Sequence, residues 1–357
     1  MYAKVKRLIN TILRKGLPEL KTLEKKNAIL VKKDKKNQTE IHELKRMLAE
    51  ANAKVDEIAK KEKRLNDEIR LLKRKQYYNY CASLPKEKYS SELANLYYKR
   101  TGSRLDFDHL NTFNEKTQWF KLYGITPQIT DLADKIKVRQ FVKEKIGEDY
   151  LIPLLGTWKY PEDIDFDNLP DQFVIKANHG SGYNYIVRDK ETFNRTEFLA
   201  KANNWLEEDF SFGHGFEMQY HGIERRLLVE KYIENQDGDL FDYKVWCFNG
   251  KAEYIQFLSD RKNELKMDFF DREWNRMPFV YDHPHHENSI PKPANLDELI
   301  EKSEELAQGF AHVRVDFYRL NDGKLYFSEM TFTSSSGFCH WEPKEADLEI
   351  GKKYILQ

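Results

Sequence analysis

The chain has 357 residues and no net formal charge, 59 basic side chains balancing 59 acidic ones, which is room for a stalk and one or two globular units. Three widely separated cysteines, Cys81, Cys247 and Cys339, form no CxxC pair, so neither a disulfide framework nor a zinc knuckle is indicated and a reducing cytoplasmic setting fits. No stretch approaches the ~20 consecutive apolar residues of a membrane-spanning helix, and no nucleic-acid partner is expected.

The balanced charge hides an asymmetry. Residues 1–76 hold 23 Lys/Arg against 11 Asp/Glu, and the remainder holds 36 against 48. A basic arm on an acidic body suits contact with an anionic surface, or else is a solvated helix face. Residues 1–16 lack the apolar core and cleavage site of a secretory signal. Val5, Leu8, Ile9, Ile12 and Leu13 alternate with Lys4, Lys6, Arg7, Arg14 and Lys15, the pattern of a short amphipathic helix for the inner face of an anionic membrane or of a frayed terminus.

Residues 17–76 read as a coiled-coil stalk. Ile41, Leu48, Val55, Glu62 and Ile69 fall at one core position of a seven-residue repeat, and Leu44, Ala51, Ile58, Leu65 and Leu72 at the other. The register runs back through Leu20, Leu23 and Leu30, with Asn27, Asp34 and Asn37 as polar interruptions. A strict heptad keeps one narrow seam that needs a partner helix, and branched residues at a with Leu at d favour a parallel homodimer. An intramolecular hairpin is disfavoured because no turn residue interrupts 41–72. Residues 77–129 turn aromatic (Tyr77, Tyr78, Tyr80, Tyr89, Tyr97, Tyr98, Phe113, Trp119, Phe120, Tyr123) and predict short helices packed on a body at 130–357.

In the body, 130–147 predicts one helix capped by Thr130 or Asp131 and ended by Gly147. YLIPLLGTW reads as an edge strand or loop. The stretch 171–187, DQFVIKANHGSGYNYIV, predicts a strand ending in Lys176, a loop His179-Gly180-Ser181-Gly182 and a second strand. This is not the Walker A order, which feeds a helix; here glycines allow backbone N–H groups to fold over phosphates while Lys176 neutralises charge. An ordinary hairpin is the alternative for that loop taken alone.

LLVEKYI (227–233) predicts a buried strand whose charged end offers backbone to the edge of a flat ring. DYKVWCF (242–248) predicts a strand carrying Lys244. His283, His285 and His286 lie in a Pro-rich loop and are weak metal candidates. HVRVDFYRLNDGKLYFSEMTFTSSSG (312–337) predicts two strands, 313–319 and 324–330, around Asn321-Asp322-Gly323. Asp316 and Glu329 then face each other across the ladder or nearly so, and Arg314 shares the Asp316 face by period-two geometry. Converging carboxylates repel unless a cation bridges them, and hard oxygens with phosphates suit Mg²⁺.

Lys135, Lys176 before a glycine loop, Glu230-Lys231-Tyr232-Ile233, Arg-x-Asp and a Glu thirteen residues on, in this order over residues 130–340, resemble the ATP-grasp superfamily. FNEKTQWFKLY (113–123), KANHGSGYN (176–184), DYKVWCFNG (242–250) and VRVDFY…YFSEMTF…SGF (313–338) are similar to the teichuronopeptide-biosynthesis (TupA-like) ATP-grasp proteins, often found among enzymes making bacterial surface polysaccharides. The resemblance implies an α+β fold, two subdomains clasping ATP, preceded here by the long coiled-coil helix. It also implies an ATP- and Mg²⁺-dependent carboxylate–amine ligase working through an acylphosphate. Lys135 and Lys176 would contact the phosphates, Gly180, Ser181 and Gly182 would form the lid, Glu230, Lys231 and Ile233 would hold adenine, and Asp237 would reach the ribose. Asp316, Glu329 and, in place of the common Asn, Thr331 would ligate one or two Mg²⁺ ions, with Arg314 and Lys244 stabilising transferred charge. His179 and the loop Ser334-Ser335-Ser336-Gly337 would bind the acceptor or carboxylate, with an amino acid or amine and a sugar acid or glycan-linked acceptor as the implied substrates. Two alternatives stand beside this: a glycosyltransferase using Asp237-Gly238-Asp239 as a DxD motif, although that triplet also reads as a hairpin turn, and a non-catalytic scaffold in which Thr331 marks lost activity.

Overall fold

The computed structural model describes residues 22, 25, 26, 29, 38–234, 240–259 and 264–356. The amphipathic segment 1–16, the heptad positions Leu20, Leu23, Asn27, Leu30, Asp34 and Asn37, and the Asp237-Gly238-Asp239 triplet lie outside the described residues. The chain divides into two compact units, residues 1–80 and 81–357.

Helix α1 spans Gln38–Ser83, 46 residues, or roughly 69 Å at 1.5 Å per residue. It is rich in Ala, Leu, Glu, Lys and Arg, the strong helix formers. Leu48, Ala51, Val55, Ile58, Glu62, Leu65 and Ile69 are partly buried while every residue between them is exposed, whereas Leu72, the next position of the heptad, is 63% exposed. The helix runs on past the composition change at Gln76 and takes in Tyr77, Tyr78 and Tyr80. Among the described residues, no helix is long and apolar enough to cross a membrane.

In the second unit α2 (Tyr89–Thr101) and α3 (Phe113–Tyr123) come first. A capping box starts α3: the Glu115 N–H donates to Thr112 Oγ1 and the Thr112 N–H to the Glu115 carboxylate. The single helix expected over 130–147 is instead two, α4 (Pro127–Ala133) and α5 (Val138–Lys145). Thr126 caps α4 with Pro127 at its first turn. The break falls at Asp134, whose backbone is extended (ψ 113°). Its carboxylate takes the Ile136 N–H at 2.8 Å, competing with helix continuation as short polar side chains do.

Strands β1 (Leu154–Trp158), β2 (Phe173–Ala177) and β3 (Asn184–Val187) follow, then α6 (Arg195–Glu207), the single turn α7 (Phe210–Gly213) and β4 (Leu227–Lys231). These strands form an antiparallel sheet in the order β1-β4-β2-β3, with β1 at the edge as its proline-flanked sequence predicted. On β2, Phe173, Ile175 and Ala177 are buried among Phe198 and Ala202 of α6, which leaves Val174 and Lys176 on the opposite face.

A second antiparallel sheet has the order β10-β9-β5-β6-β7. It comprises β5 (Phe241–Phe248), β6 (Lys251–Ser259), β7 (Lys266–Phe270), β9 (His312–Arg319) and β10 (Leu325–Thr331). The short β8 (Val280–Tyr281) pairs with β11 (Trp341–Glu342), and α8 (Leu296–Ala307) and α9 (Glu345–Lys353) complete the body. One face of the five-stranded sheet carries Tyr243, Val245, Val315 and Phe317 into the main core with Leu299 and Leu306 of α8. Its other face carries the charged residues of the site.

Phe317 is fully buried, paired on one side with Tyr243 and on the other with Phe327. Phe317→Ala is expected to lower unfolding stability by about 3–5 kcal/mol, the range for deleting a buried aromatic ring, read as a lower urea midpoint at unchanged slope.

Candidate active site

The hairpin β9–β10 decides the geometry. Its tight turn closes with the Leu320 N–H on the Lys324 carbonyl (2.9 Å), and Arg319, Tyr318 and Phe317 pair with Leu325, Tyr326 and Phe327. Continued without a break, that register would set Glu329 opposite Val315, on the core side. A bulge between Phe327 and Glu329 adds Ser328 and brings Glu329 opposite Asp316. Asp316 is in turn opposite Lys244 of β5, and Arg314 opposite Trp246 and Thr331. One row across three strands therefore reads Glu329, Asp316, Lys244.

Asp316 is fully buried. Arg314 grips it with two hydrogen bonds of 2.7 Å each, and Lys244 binds its Oδ2. Lys244 also pairs with buried Asp242 at 3.2 Å. Glu329, with 26% of its side chain exposed, meets Lys135 at 3.4 Å and Arg314 at 3.6 Å. Thr331 Oγ1 accepts from Arg314 at 3.1 Å and donates to Glu329 at 3.4 Å.

Burial raises the Glu329 carboxyl, yet Lys135, Lys244 and Arg314 outweigh it and hold the group down at about 2. Burial pushes the Asp316 carboxyl up against the pull of Arg314 and Lys244. Burial works against the charge on Lys244, but Asp242 and Asp316 raise it above the usual lysine range.

The four-stranded sheet contributes Lys176. Its ammonium pairs with Glu230 of β4 at 2.7 Å, and Arg139 of α5 holds the other Glu230 oxygen at 2.9 Å. Burial disfavours the charge on Lys176, and Glu230 more than restores it. The Glu230 side chain thus fixes Lys176. The Lys231 N–H is taken by the Pro153 carbonyl at 2.9 Å, and Ile233 lies beyond the strand end. Exposed Ile186 pairs with Val174 on the Lys176 face and gives it an apolar margin.

The helix break at Asp134 positions Lys135. Its N–H donates to the Asn178 carbonyl at 2.9 Å and its ammonium to the Gly180 carbonyl at 2.7 Å. With the Glu329 contact, Lys135 joins the glycine loop to the five-stranded sheet. Gly180 has φ +76°, and a Cβ there would come within 2.4 Å of the Phe210 ring, so only glycine fits. Ser181 and Gly182 face open space.

His179 does not reach the site, contrary to expectation. It is buried, with Nε2 2.9 Å from the Trp205 carbonyl, and burial brings its pKa down to about 4. The loop beyond β10 is also only partly presented. Ser334 is fully buried, Ser336 Oγ donates to the His214 carbonyl at 3.0 Å, and Ser335 is exposed. Ser335, Ser336 and Gly337 have φ of 45°, 55° and 62°, a strained left-handed run.

Helix α3 holds that run in place by a buried polar stripe, Asn114, Thr117, Gln118 and Lys121. Gln118 Nε2 donates to the Gly337 carbonyl at 2.6 Å, and Asn114 brackets Cys339 through its N–H (3.0 Å) and carbonyl (2.9 Å). Lys121, wholly buried against Gln118 and the Phe338 ring, is brought down to about 7 by burial. Buried Glu217, raised by burial, accepts from Thr333 Oγ1 at 2.5 Å. Arg139, Glu217 and this stripe went unread in the sequence. Spacing of i, i+3, i+4, i+7 in NEKTQWFK is the signal that could have found the stripe, since it places the amides and Lys121 on one helix face.

The weak histidine candidates sit elsewhere: His285 Nδ1 is 3.1 Å from buried Asp268, which Arg276 also pairs at 3.1 Å. For a divalent ion, the donors at the charged row are all hard oxygens (Asp316, Glu329, Thr331), which suits Mg²⁺. Asp316 is fully buried and accepts from Arg314 and Lys244, so Glu329 is the more accessible of the two carboxylates to a bound ion.

A lysine-anchored glycine loop on one sheet and an Arg-x-Asp strand beside an acidic strand on another are joined by Lys135. The chain belongs to the TupA-like ATP-grasp family, whose model matches residues 115–355. No curated protein matches it at the level of sequence. Among solved structures it is similar to N5-carboxyaminoimidazole synthetase from Staphylococcus aureus complexed with ADP (13% identity, 56% of this chain and 44% of that one, TM-score 0.36). It is similar also to the L-amino acid ligase from Bacillus licheniformis (15%, 61% and 47%, TM-score 0.38). A third is the biotin carboxylase–β-γ-ATP complex from Campylobacter jejuni (15%, 63% and 47%, TM-score 0.35). The chain thus spans less than half the length of each of these three proteins.

His179 gives a pH test. Its folded pKa lies below the ordinary 6.5, so its contribution to stability is complete above pH 6.5 and is lost as pH falls toward 4. Over that window wild type should lose roughly 3 kcal/mol more than His179→Gln, measured by urea unfolding at stepped pH. Parallel curves for the two proteins would refute the buried, neutral ring.

Proposed function

We propose that the chain is an ATP- and Mg²⁺-dependent carboxylate–amine ligase. The observation that carries this reading is the convergence of Lys135, Lys244 and Arg314 on Asp316 and Glu329, in a chain of the TupA-like ATP-grasp family, with Lys176 held by Glu230 on the neighbouring sheet. When bound, ATP supplies the phosphoryl group that turns a carboxylate into an acylphosphate, and Mg²⁺ neutralises the charge that develops.

The protein's part is to place cations and exclude water. Lys176 and Lys135 meet phosphate oxygens, and the Gly180–Gly182 loop closes over them. Glu329 is the direct ion ligand; Asp316, buried and doubly held, orients Arg314 and Lys244 toward the reacting groups. Thr331 orients Glu329. The loop 334–337 receives the acceptor, and α3 fixes its strained backbone. The family context favours joining an amino acid or amine to a sugar acid or glycan-linked acceptor of a bacterial surface polysaccharide, in the cytoplasm.

The stalk supplies assembly. In a parallel, in-register pair of α1 helices, Lys54 and Lys61 would oppose Ala59 and Asn66 of the second copy, and Glu68 would oppose Lys73. No like charges meet at the flanks of this pairing. Glu62 is then a core carboxylate that weakens the pair.

Lys176→Ala and Glu329→Gln should each cut ADP release, screened over uronic acids with amino acids, by at least ~100-fold while leaving thermal melting cooperative. Full activity in both variants would remove the ligase reading, and release dependent on a nucleotide-sugar would favour a glycosyltransferase. Sedimentation equilibrium of the full chain should show a dimer that Glu62→Leu tightens. A monomer at tens of micromolar for both proteins would dismiss the stalk pairing.

A further inference from the structure

The charged row uses one face of the five-stranded sheet. On the other face, at the end of the sheet where β5 begins and β9 finishes, lies a cavity of about 400 Å³, inside the ~300–1,000 Å³ range of small-molecule sites. Strand alternation separates the two places. Asp242 and Lys244 point to the charged face, and Phe241 and Tyr243 to the cavity. Arg319, paired with Phe241, is three residues beyond Asp316 and belongs to the cavity side.

The lining has a defined chemistry. Phe257 of β6 stands 4.9 Å from the Tyr243 ring and 6.0 Å from Phe241, both tilted, an aromatic floor onto which another ring would pack in the same geometry. Three basic side chains border the space, His286, Lys292 and Arg319, and among the described residues no carboxylate does. The Ser259 hydroxyl is buried on the wall and has no partner among the described residues, a deficit that a polar ligand atom would remove. Pro291 and Pro293 stiffen the opposite wall, and Arg319 is braced by Asn295 at 2.7 Å, which in turn binds the Gly323 carbonyl at 2.8 Å. Stiff walls make this a preformed site.

We propose that this cavity is a second small-molecule site, distinct from the nucleotide cleft, for a compact aromatic carboxylate whose ring lies on Phe257 and whose anion meets Arg319 and Lys292. The cavity wall is the reverse side of the strands that hold Lys244 and Asp316, so an occupant would act on the same β5 and β9 backbone as the charged row.

The test uses indole-3-acetate as probe and its uncharged counterpart indole-3-acetamide as control, titrated calorimetrically into the full chain with and without ADP. Saturable one-to-one binding of the acid is expected, at least tenfold tighter than the amide and unaffected by ADP. Ser259→Leu, which fills the space, and Lys292→Gln, at an exposed position, should each weaken it tenfold or more with the melting temperature unchanged. Equal affinity for acid and amide, undiminished binding to Ser259→Leu, or absence of binding would overturn the proposal. Displacement by ADP would also overturn it, because the ring would then occupy the nucleotide cleft. Tighter binding of phenyl phosphate than of the acid would overturn the carboxylate assignment. None of these outcomes depends on the ligase reading, which rests on Lys176 and Glu329.

Discussion

Asp316 cannot be charged and buried without partners, and the site is built around that constraint. Removing a carboxylate from water is costly unless cations and donors replace the lost hydration. Arg314 and Lys244 do so here, and the requirement propagates outward. Lys244 needs Asp242 as well, Arg314 reaches on to Thr331 and Glu329, and Glu329 draws in Lys135. The outcome is a connected row of opposite charges whose outermost acid, Glu329, remains partly open. Positive side chains are thereby held in place before any phosphate arrives, which lowers the reorganisation needed when negative charge develops.

Two local irregularities make the row possible. The extra residue Ser328 in β10 turns Glu329 away from the core and toward Asp316. Asp134 ends one helix and starts another, and the intervening Lys135 spans from the Gly180 carbonyl to Glu329. Regular structure would have buried Glu329 against Val315 and carried Lys135 along the side of a continuous helix. A bulge and a helix break are each weak points in their own element, and both are fixed by hydrogen bonds and ion pairs that use the displaced residue.

The glycine loop and the loop after β10 are supported in different ways. Beneath the first lie buried His179 and Phe210, and the Phe210 ring leaves no room for a side chain at residue 180. The second is clamped from α3 by amides that bind its carbonyls and N–H groups. Burying a stripe of amides and a lysine in a helix would be unfavourable against an apolar partner. It is favourable here because a left-handed loop exposes backbone groups that no ladder satisfies.

Much of the fold was legible in residue order: the long helix α1, the strand ending in Lys176 before its glycines, the hairpin around Asn321-Asp322-Gly323, and the order of motifs that matches the TupA-like ATP-grasp family. These follow from local chemistry, namely hydrophobic period, turn residues and charge placement, which act over a few residues and so can be read along the chain. The partnerships were not legible. That Arg139 would hold Glu230 and that His179 would turn into the core depended on residues tens of positions apart meeting in space, while the break at Asp134 and the bulge at Ser328 are local departures from a regular period that the hydrophobic pattern does not mark. Sequence determined which charged groups were available and on which elements they stood; tertiary structure decided which of them were buried together, because the electrostatic cost of burial is set by neighbours that only the fold supplies.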